Sequence, residues 1–397
     1  MTGLARQFYD RWRFNWFLYP GIAGYRAPDF LTRYYEWRKS RMGPLRKLAN
    51  ALVYGYFWLW IPRRARKVAR HWDKDEQWVR RIVPLAREWM TDPEDFATFD
   101  IDGENDLRVY QRRMEQIPVI RTMESASTDH AVSLLDKAVF QSRCETLGLP
   151  VPALLATVTG GMLEFSTPLA PDSEVLAKPR SGSGGAGISV FAAAELHDGK
   201  TTASRFGNGD WLVQERLPPH PGLADIALDA LPTVRMVTML DERAEPELVA
   251  AAIRFAARRN VPVDNGHAGG LIAGVGFADG RLREGLSGWG PGRFPEHPES
   301  GMPITGRVVP GWDEAKALVS EAHHRLFAAS VIIGWDVGIA AGGPVLIEAN
   351  PRPAVRLTQR AAGMGIGQMR YGELVAYHLD RAIRDRPDRT WRHLSRG

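Results

Sequence analysis

The stretch Ile333-Gly334-Trp335-Asp336-Val337-Gly338-Ile339, with Val345-Leu346-Ile347-Glu348-Ala349-Asn350 after it, is the most informative part of this 397-residue sequence. Two apolar runs joined by a short glycine-containing segment predict an antiparallel hairpin. If the turn is centred on Gly342, Asp336 faces Glu348 with Cβ atoms about 5 Å apart, and Asn350 points to the same face. Two carboxylates and an amide carbonyl are hard oxygen ligands of the kind that Mg²⁺ prefers. The hairpin therefore indicates a metal site; the competing interpretation is a pair of acids at a solvated hairpin end.

A second candidate site lies upstream, where Lys178 ends a predicted strand and a loop rich in glycine and serine follows. Its members are Ser181, Gly182, Ser183, Gly184, Gly185 and Gly187. Backbone N–H groups of such a loop can approach phosphate oxygens, and the lysine adds a positive charge for the same anion. The loop lacks the Gly-Lys-Ser/Thr ending of a Walker A motif, so a flexible hairpin loop remains the alternative.

Two arginines, Arg235 and Arg254, each stand among apolar neighbours, where an unpaired guanidinium would be costly to bury. Either they pair with acids such as Glu215, or they face an anionic ligand. Downstream, the segment from Asp264 to Gly270 supplies polar groups and a second glycine-rich turn.

Charge and aromatic residues are distributed unevenly along the chain. Residues 1 to 89 carry a balance of +12 and eight of the 13 tryptophans, whereas the remainder sums to −7. The single cysteine, Cys144, excludes an intrachain disulfide and is expected to be a packed helix residue. No signal peptide or transmembrane helix is expected, which favours a cytoplasmic protein, while a helix lying on a membrane surface stays open.

The periodicity of apolar residues predicts an α+β protein with a mainly helical front. One amphipathic helix is predicted around Trp12 and Trp16, and others at about 30 to 40, 44 to 60, 73 to 90 and 312 to 329, the last with partly exposed His323 and His324. Strands are predicted near Lys178, at Trp211 to Leu217 and at Thr233 to Leu240. Glu247 to Ala256 is ambiguous, because its alanines favour a helix and its position suits a hairpin.

In their order, these segments resemble the ATP-grasp superfamily, and more closely its sugar-transfer-associated branch. The resemblance covers about residues 127 to 365. It is carried by Asp136-Lys137 ahead of Gly148-Leu149-Pro150-Val151-Pro152, Lys178 before the glycine loop, Gln214-Glu215-Arg216-Leu217, Thr233-Val234-Arg235, Asn265 to Gly270, and Asp336 with Glu348-Ala349-Asn350.

The resemblance implies an ATP-grasp fold, in which two α+β subdomains clamp ATP, behind a basic, tryptophan-rich helical domain. The domains are then 1–124 and 125–397, the second with a lid at about 150–217 and a metal and substrate part at 218–397. The front departs from the usual pattern, since it shows no clear alternation of strands and helices that would bind substrate.

The resemblance also implies roles for individual residues. Lys137, Lys178 and the glycine loop would contact phosphates, and Arg235 and Arg254 would act on the γ-phosphate and the intermediate. The hinge Gln214, Glu215, Arg216 and Leu217, with His220, would hold the nucleotide. Asp336, Glu348 and Asn350 would bind two Mg²⁺ ions, with Mn²⁺ as an alternative. Asn265, His267, Gly269, Gly270, Arg352, Arg356 and Gln359 are expected near the substrate, although Arg352 and Arg356 could equally be solvated.

The expected activity is ATP-dependent joining of a carboxylate to an amine or similar nucleophile through an acylphosphate, in biosynthesis of a peptide-like or sugar-linked metabolite. The expected partners are these small molecules and not nucleic acid, with membrane contact through the basic front and a homodimer left open. The alternatives are a small-molecule kinase on the same fold, and a non-catalytic nucleotide-binding module whose front binds a membrane or nucleic acid.

Overall fold

The computed structural model describes residues 26–124, 135–167, 170, 172–181, 187–198, 204–259 and 269–385. Two compact units emerge, the first from Met1–Ser125 with Ala354–Gly397 and the second from Ala126–Pro353. The helix predicted around Trp12 and Trp16 lies outside the described residues.

The described part of the front is helical, as the periodicity predicted. Its helices are α1 (Thr32–Ser40), α2 (Pro44–His71), α3 (Glu76–Glu88), α4 (Pro93–Phe99), α5 (Glu104–Leu107) and α6 (Arg113–Met123). Helix α2 continues about three turns beyond its predicted end, through Pro62. Proline has no N–H to donate to the Trp58 carbonyl, and that carbonyl accepts instead from Arg87 Nε of α3 at 3.1 Å. Apolar side chains of α2, α3 and α4 form one core around Ile61, Ile82 and Phe96.

The second unit begins with α7 (Lys137–Thr146) and an antiparallel five-stranded sheet. Its strands are β1 (Leu154–Thr159), β2 (Met162–Phe165), β3 (Glu174–Pro179), β4 (Ser189–Ala192) and β5 (Trp211–Glu215), in the order β2-β1-β5-β3-β4. Strand β4 pairs with β3, so the chain returns after the glycine loop as expected.

An antiparallel seven-stranded sheet completes the second unit, in the order β10-β9-β8-β7-β6-β11-β12. After the short helix α8 (Ala224–Ala227), its elements are β6 (Thr233–Leu240), β7 (Pro246–Phe255), β8 (Leu271–Val275), β9 (Leu282–Ser287), β10 (Arg293–Phe294), helix α9 (Trp312–Phe327), β11 (Ile332–Ala340) and β12 (Gly343–Asn350). The ambiguous alanine-rich segment is therefore a strand. It pairs on both sides, with β6 and β8, and this buries alanines that an isolated helix would have exposed.

Helix α9 covers one face of the large sheet and forms the main core with it. His323 was predicted to be partly exposed, and this is wrong. It is fully buried, its Nδ1 lies 2.7 Å from Thr238 Oγ1, and its Nε2 lies 2.9 Å from the Ser330 carbonyl oxygen. Burial lowers the pKa of His323 to about 4, so the ring is neutral at pH 7. Cys144 is buried in the same core, as predicted, and burial raises the pKa of its thiol to about 12.

The last two helices, α10 (Arg356–Ala362) and α11 (Arg370–Arg384), group with the helical unit, although the domain expected from the sequence ran to 397. The grouping rests on close backbone packing. Gly367 N donates to the Val109 carbonyl at 2.8 Å, and a Cβ on Gly365 would lie 2.4 Å from Val109 Cγ2. Only a glycine at position 365 permits that approach.

Candidate active site

The predicted pairing of Asp336 with Glu348 is present in the hairpin of β11 and β12. The turn is placed differently from the prediction, because Ala340 pairs with Gly343. A bulge then compensates: Val337 pairs with Leu346, and Ile347 is the extra residue that brings Asp336 opposite Glu348. Asn350 lies opposite Gly334, two residues along, and shares the face of the two carboxylates.

The side chains of β11 alternate between the core face and the site face of the sheet. Trp335, Val337 and Ile339 are buried in the core, and the residues between them point to the opposite face. On that face Gly334 allows a close approach, since a Cβ there would lie 2.5 Å from Pro353 Cβ. The chain that leaves β12 therefore folds back over the site face of β11.

Arg235 and Arg254 both bind the carboxylate of Asp336. Arg235 lies opposite Asp336 on the neighbouring strand and donates from Nε to Oδ1 at 2.5 Å and from Nη2 to Oδ2 at 3.2 Å. Arg254 Nη2 lies 3.0 Å from Oδ2 and also donates to Thr233 Oγ1 at 2.7 Å. Burial acts to raise the pKa of Asp336, but the two guanidiniums outweigh it and lower the pKa to about 2.

The partner of the arginines is thus Asp336 and not Glu215, the acid suggested from the sequence. The Glu215 carboxylate accepts from Ala153 N at 2.8 Å, at the start of the small sheet. Thr233, which orients Arg254, was not selected from the sequence. Its position opposite Arg254 follows only from the register of β6 and β7.

Lys137 and Lys178 bring two more positive charges to Glu348. Lys178 is buried, and desolvation, reinforced by the charge of Lys137, lowers its pKa to about 8. Burial and the charge of Asp336 raise the pKa of Glu348, an effect that Lys137 and Lys178 oppose. Four cationic side chains and two carboxylates therefore meet here, with the cations in excess.

An ion pair joins the two segments that carry the lysines. Asp136 caps α7 by accepting from Ala138 N at 2.9 Å, and its carboxylate accepts from Arg180 Nε at 2.9 Å. Arg180 directly follows β3, which carries Lys178, whereas Lys137 directly follows Asp136. The hydrogen bonds from Arg180 lower the pKa of Asp136. Sequence inspection did not select Arg180, although it lies between two predicted phosphate ligands.

The hinge residues join the two sheets of this unit. Gln214 is buried and donates to Gln141 Oε1 at 2.7 Å. Arg216 Nη2 donates to the Asp229 carbonyl at 2.7 Å, and Leu217 is half-buried. His220 N donates to the Ile339 carbonyl at 3.0 Å, which ties the chain after the hinge to β11.

The remaining predicted site residues are scattered. Gly182 to Gly185, Asn265 and His267 lie outside the described residues. Ser181 and Gly187 are exposed at the two ends of the glycine loop, as is Gly269 before β8, and the carbonyl of buried Gly270 accepts from Gly288 N at 3.1 Å. Arg352 is exposed, and its N–H donates to Asn350 Oδ1 at 3.0 Å.

Arg356 and Gln359 lie in the helical unit and are engaged there. Arg356 hydrogen-bonds Thr98 Oγ1 and lies 3.7 Å from Glu94 Oε1. Gln359 is fully buried and forms two hydrogen bonds with the backbone of Gln111, at 2.9 and 3.1 Å. In this structure both side chains hold parts of the helical unit together.

The donor set on the hairpin fits Mg²⁺ in chemistry. Asp336, Glu348 and Asn350 present oxygen atoms on one face, and a carboxylate that accepts hydrogen bonds keeps lone pairs for a metal. Among the described residues no group of three or more His, Cys, Asp and Glu side chains forms a metal cluster. A metal here would therefore depend on the amide of Asn350 and on oxygens from water or phosphate, as is usual for Mg²⁺.

A search of curated proteins found no match. Among solved structures, D-alanine–D-alanine ligase from Bacillus anthracis complexed with ATP is similar at 13% identity and a TM-score of 0.36, over 64% of this chain and 67% of that chain. D-cycloserine synthetase DcsG is similar at 11% identity and a TM-score of 0.36, over 81% of each chain.

The family comparison covers all of the second unit and extends past it on both sides. The model of the sugar-transfer associated ATP-grasp family matches residues 121–371. This confirms the family expected from the sequence and the ATP-grasp fold behind a helical region. Proteins of this superfamily bind ATP, generally with Mg²⁺. With nearly two thirds of its length matched, the chain belongs to the sugar-transfer associated ATP-grasp family.

Proposed function

We propose that this protein is an ATP-dependent ligase that joins a carboxylate to an amine or similar nucleophile and releases ADP and phosphate. The observation that carries the proposal is the excess of positive charge where Lys137, Lys178, Arg235 and Arg254 meet Asp336 and Glu348. Like charges held together in a partly buried site repel one another, and an anion that neutralises the excess would be favoured there. ATP is the anion that we propose, since proteins of this family bind ATP.

The two lysines are assigned to the phosphates of ATP. A triphosphate carries more negative charge than the excess cations neutralise, so a divalent cation would complete the balance. Asp336, Glu348 and Asn350 would hold that cation, two ions being expected from the family resemblance. When bound, Mg²⁺ neutralises charge on phosphate oxygens and orients the triphosphate.

The proposed reaction has two steps. An oxygen of the substrate carboxylate attacks the γ-phosphorus of ATP, the bond to the β–γ bridging oxygen breaks, and an acylphosphate and ADP result. The amine then attacks the acyl carbon, and phosphate leaves with the former carboxylate oxygen as the amide forms and a proton is lost. Activation is required because a free carboxylate is a poor acyl donor at neutral pH.

In this proposal Arg235 and Arg254 stabilise charge in both steps. Their guanidiniums are held on one face of the sheet by Asp336 and Thr233, so little reorganisation is needed when negative charge develops. This preorganised electrostatic contribution is the main catalytic effect that the cluster supplies. Because no nucleophilic side chain takes part, buried Cys144 has no role in the reaction.

The test is a screen of the purified protein with ATP, Mg²⁺ and paired libraries of carboxylic acids and amines. We expect ADP and phosphate together only when an acid and an amine are both present, with a condensed product detectable by mass spectrometry. Glu348→Ala and Asn350→Ala should abolish product formation. A phosphorylated acceptor without phosphate release would identify a kinase, and ATP consumption unchanged in both variants would refute the proposed site.

A further inference from the structure

The outward face of α2 carries a stripe of exposed leucines. Leu45, Leu48, Leu52 and Leu59 are 84%, 61%, 69% and 63% exposed. Their spacing of three, four and seven residues places them on one side of the helix. The opposite side, with Phe57, Ile61, Ala65 and Val68, is buried in the helical unit. A contiguous apolar stripe of this kind marks an interaction surface.

Beyond Pro62 the same face becomes basic. Arg63, Arg66, Lys67 and Arg70 continue the line of the leucines at helical spacing, and all four are exposed. Helix α2 contains seven arginines and lysines and no aspartate or glutamate. One face of one helix is therefore apolar over its first four turns and positively charged over the rest.

A partner that binds the whole of this face must be compatible with its apolar half and with its basic half. In a parallel pair of two copies, the basic halves would repel each other. An antiparallel pair would bury the leucines but leave each basic half without a counterpart. A nucleic acid would match the basic half and leave the leucines in water. An anionic lipid surface matches both halves, because it offers acyl chains to leucines and negative headgroups to arginines and lysines.

We propose that α2 is a membrane-surface helix that binds anionic lipid, with its leucine stripe inserted and its basic half on the headgroups. At 1.5 Å per residue the 28-residue helix would extend about 42 Å in the plane of the membrane. Across the described ranges, no helix is long and apolar enough to cross a bilayer. The contact is independent of the proposed ligase activity.

The experiment is sedimentation of the full-length protein with vesicles of equal parts phosphatidylglycerol and phosphatidylcholine, compared with vesicles of phosphatidylcholine alone. We expect binding to the anionic vesicles that weakens as salt is added. The triple variant Arg63→Gln, Arg66→Gln, Lys67→Gln should lose roughly 100-fold in affinity, since each basic residue at the surface contributes about a factor of five. The double variant Leu48→Gln, Leu52→Gln should lose about tenfold or more.

Two matched control variants test whether the loss of vesicle binding is specific to substitutions in α2. Arg143→Gln, Arg243→Gln, Arg283→Gln removes the same charge from exposed positions of the other unit, and Met162→Gln removes an apolar side chain that is 78% exposed. Neither should change vesicle binding. All substituted positions are exposed, and circular dichroism verifies that each variant is folded.

Three results would overturn the proposal. The first is failure of the native protein to bind anionic vesicles, as expected if another segment of the chain covers the leucines. The second is binding that is lost in the triple variant and unchanged in the leucine variant, which would mark a purely electrostatic contact such as one with nucleic acid. The third is a dimer in lipid-free solution that the leucine variant converts to a monomer, combined with unchanged vesicle binding.

Discussion

Two clusters of arginine and carboxylate, one in each unit, differ in how completely they are closed. In the helical unit, Arg112 and Glu115 are each 1% exposed and pair with each other and with the Tyr35 hydroxyl; these three residues form the closed cluster. In the second unit, Arg235 and Arg254 share Asp336 beside Glu348; these four form the open cluster, whose two arginines and Asp336 are 14 to 16% exposed.

The closed cluster satisfies its own charges. The remaining donors of Arg112 are used by the carbonyls of Trp89 and Arg26 and by Thr91. One arginine balances one carboxylate, and the pair is three residues apart on adjoining turns. The open cluster instead joins strands about 100 residues apart in sequence, and the charges of Lys137 and Lys178 act on its Glu348, so cations outnumber carboxylates there. The charged cluster of the helical unit is thus structural, and we interpret the charged cluster of the second unit as a binding site.

The largest effect, a loss of unfolding free energy, is expected when the arginine of the closed cluster is removed. Arg112→Met would leave Glu115 as an unpaired buried charge, which costs about 3 to 5 kcal/mol of unfolding free energy. Urea unfolding followed by tryptophan fluorescence measures the loss. The neighbouring Arg113 is exposed, so Arg113→Met serves as the control and should change stability by less than about 0.5 kcal/mol. Equal effects of the two substitutions would show that the cluster is not what stabilises this unit.

Loss of a carboxylate from the open cluster should leave the stability of the fold unchanged, in contrast to the loss of Arg112 from the closed cluster. Burial and Asp336 raise the pKa of Glu348, so its charged form is unfavourable in the folded protein without ligand. Glu348→Gln should therefore not lower the unfolding temperature, while ATP-dependent product formation falls about 100-fold or more. Glu284→Gln, on strand β9 of the same sheet, is the control and should retain activity. A large loss of stability in Glu348→Gln would remove the distinction between the clusters.

The sequence predicted the hairpin and its paired acids because apolar alternation and a short turn are local signals. The turn was misplaced by one position, and the pairing of Asp336 with Glu348 held only because the bulge at Ile347 compensates. Local sequence patterns did not reveal which carboxylate the two arginines bind. Arg235 binds Asp336 because β11 lies between β6 and β12, an order that reflects long-range pairing.

Two other features depended equally on the tertiary structure. Glu247 to Ala256 is a strand because neighbours on both sides use its hydrogen bonds, whereas its alanines alone favour a helix. Arg356 and Gln359 follow the metal segment closely in sequence, but the chain after Pro353 joins the helical unit, where Gln359 satisfies the backbone of Gln111.

A pH titration tests the positive charge that Lys178 brings to the open cluster. Desolvation and Lys137 lower the pKa of Lys178 from 10.5 to about 8, so above pH 8 the lysine loses the charge that binds phosphate. ATP affinity should fall by roughly fivefold from pH 8 to pH 9, while Lys178→Arg, which stays protonated, should bind with little change. Without ligand the sign reverses: the unfolded chain binds more protons between pH 8 and 10.5, so Lys178 makes stability rise with pH there. A pH profile shared by native protein and Lys178→Arg would exclude Lys178 as the titrating group.

The smallest effect is expected at the ion pair that joins the two segments carrying the lysines. Arg180 and Asp136 are partly exposed, so Arg180→Gln should lower the unfolding free energy by less than about 1 kcal/mol. It leaves in place the cap of α7 and the backbone hydrogen bond from Lys137 N to the Arg180 carbonyl, but removes the side-chain link between the end of β3 and the start of α7, so ATP affinity should fall by about threefold, within the range of such pairs. Arg281→Gln removes a comparable exposed pair with Asp279 and should change stability as little, with no change in ATP affinity. Equal ATP affinity in the two variants would mean that Lys137 and Lys178 are positioned by their own burial, and that the open cluster needs no support from this ion pair.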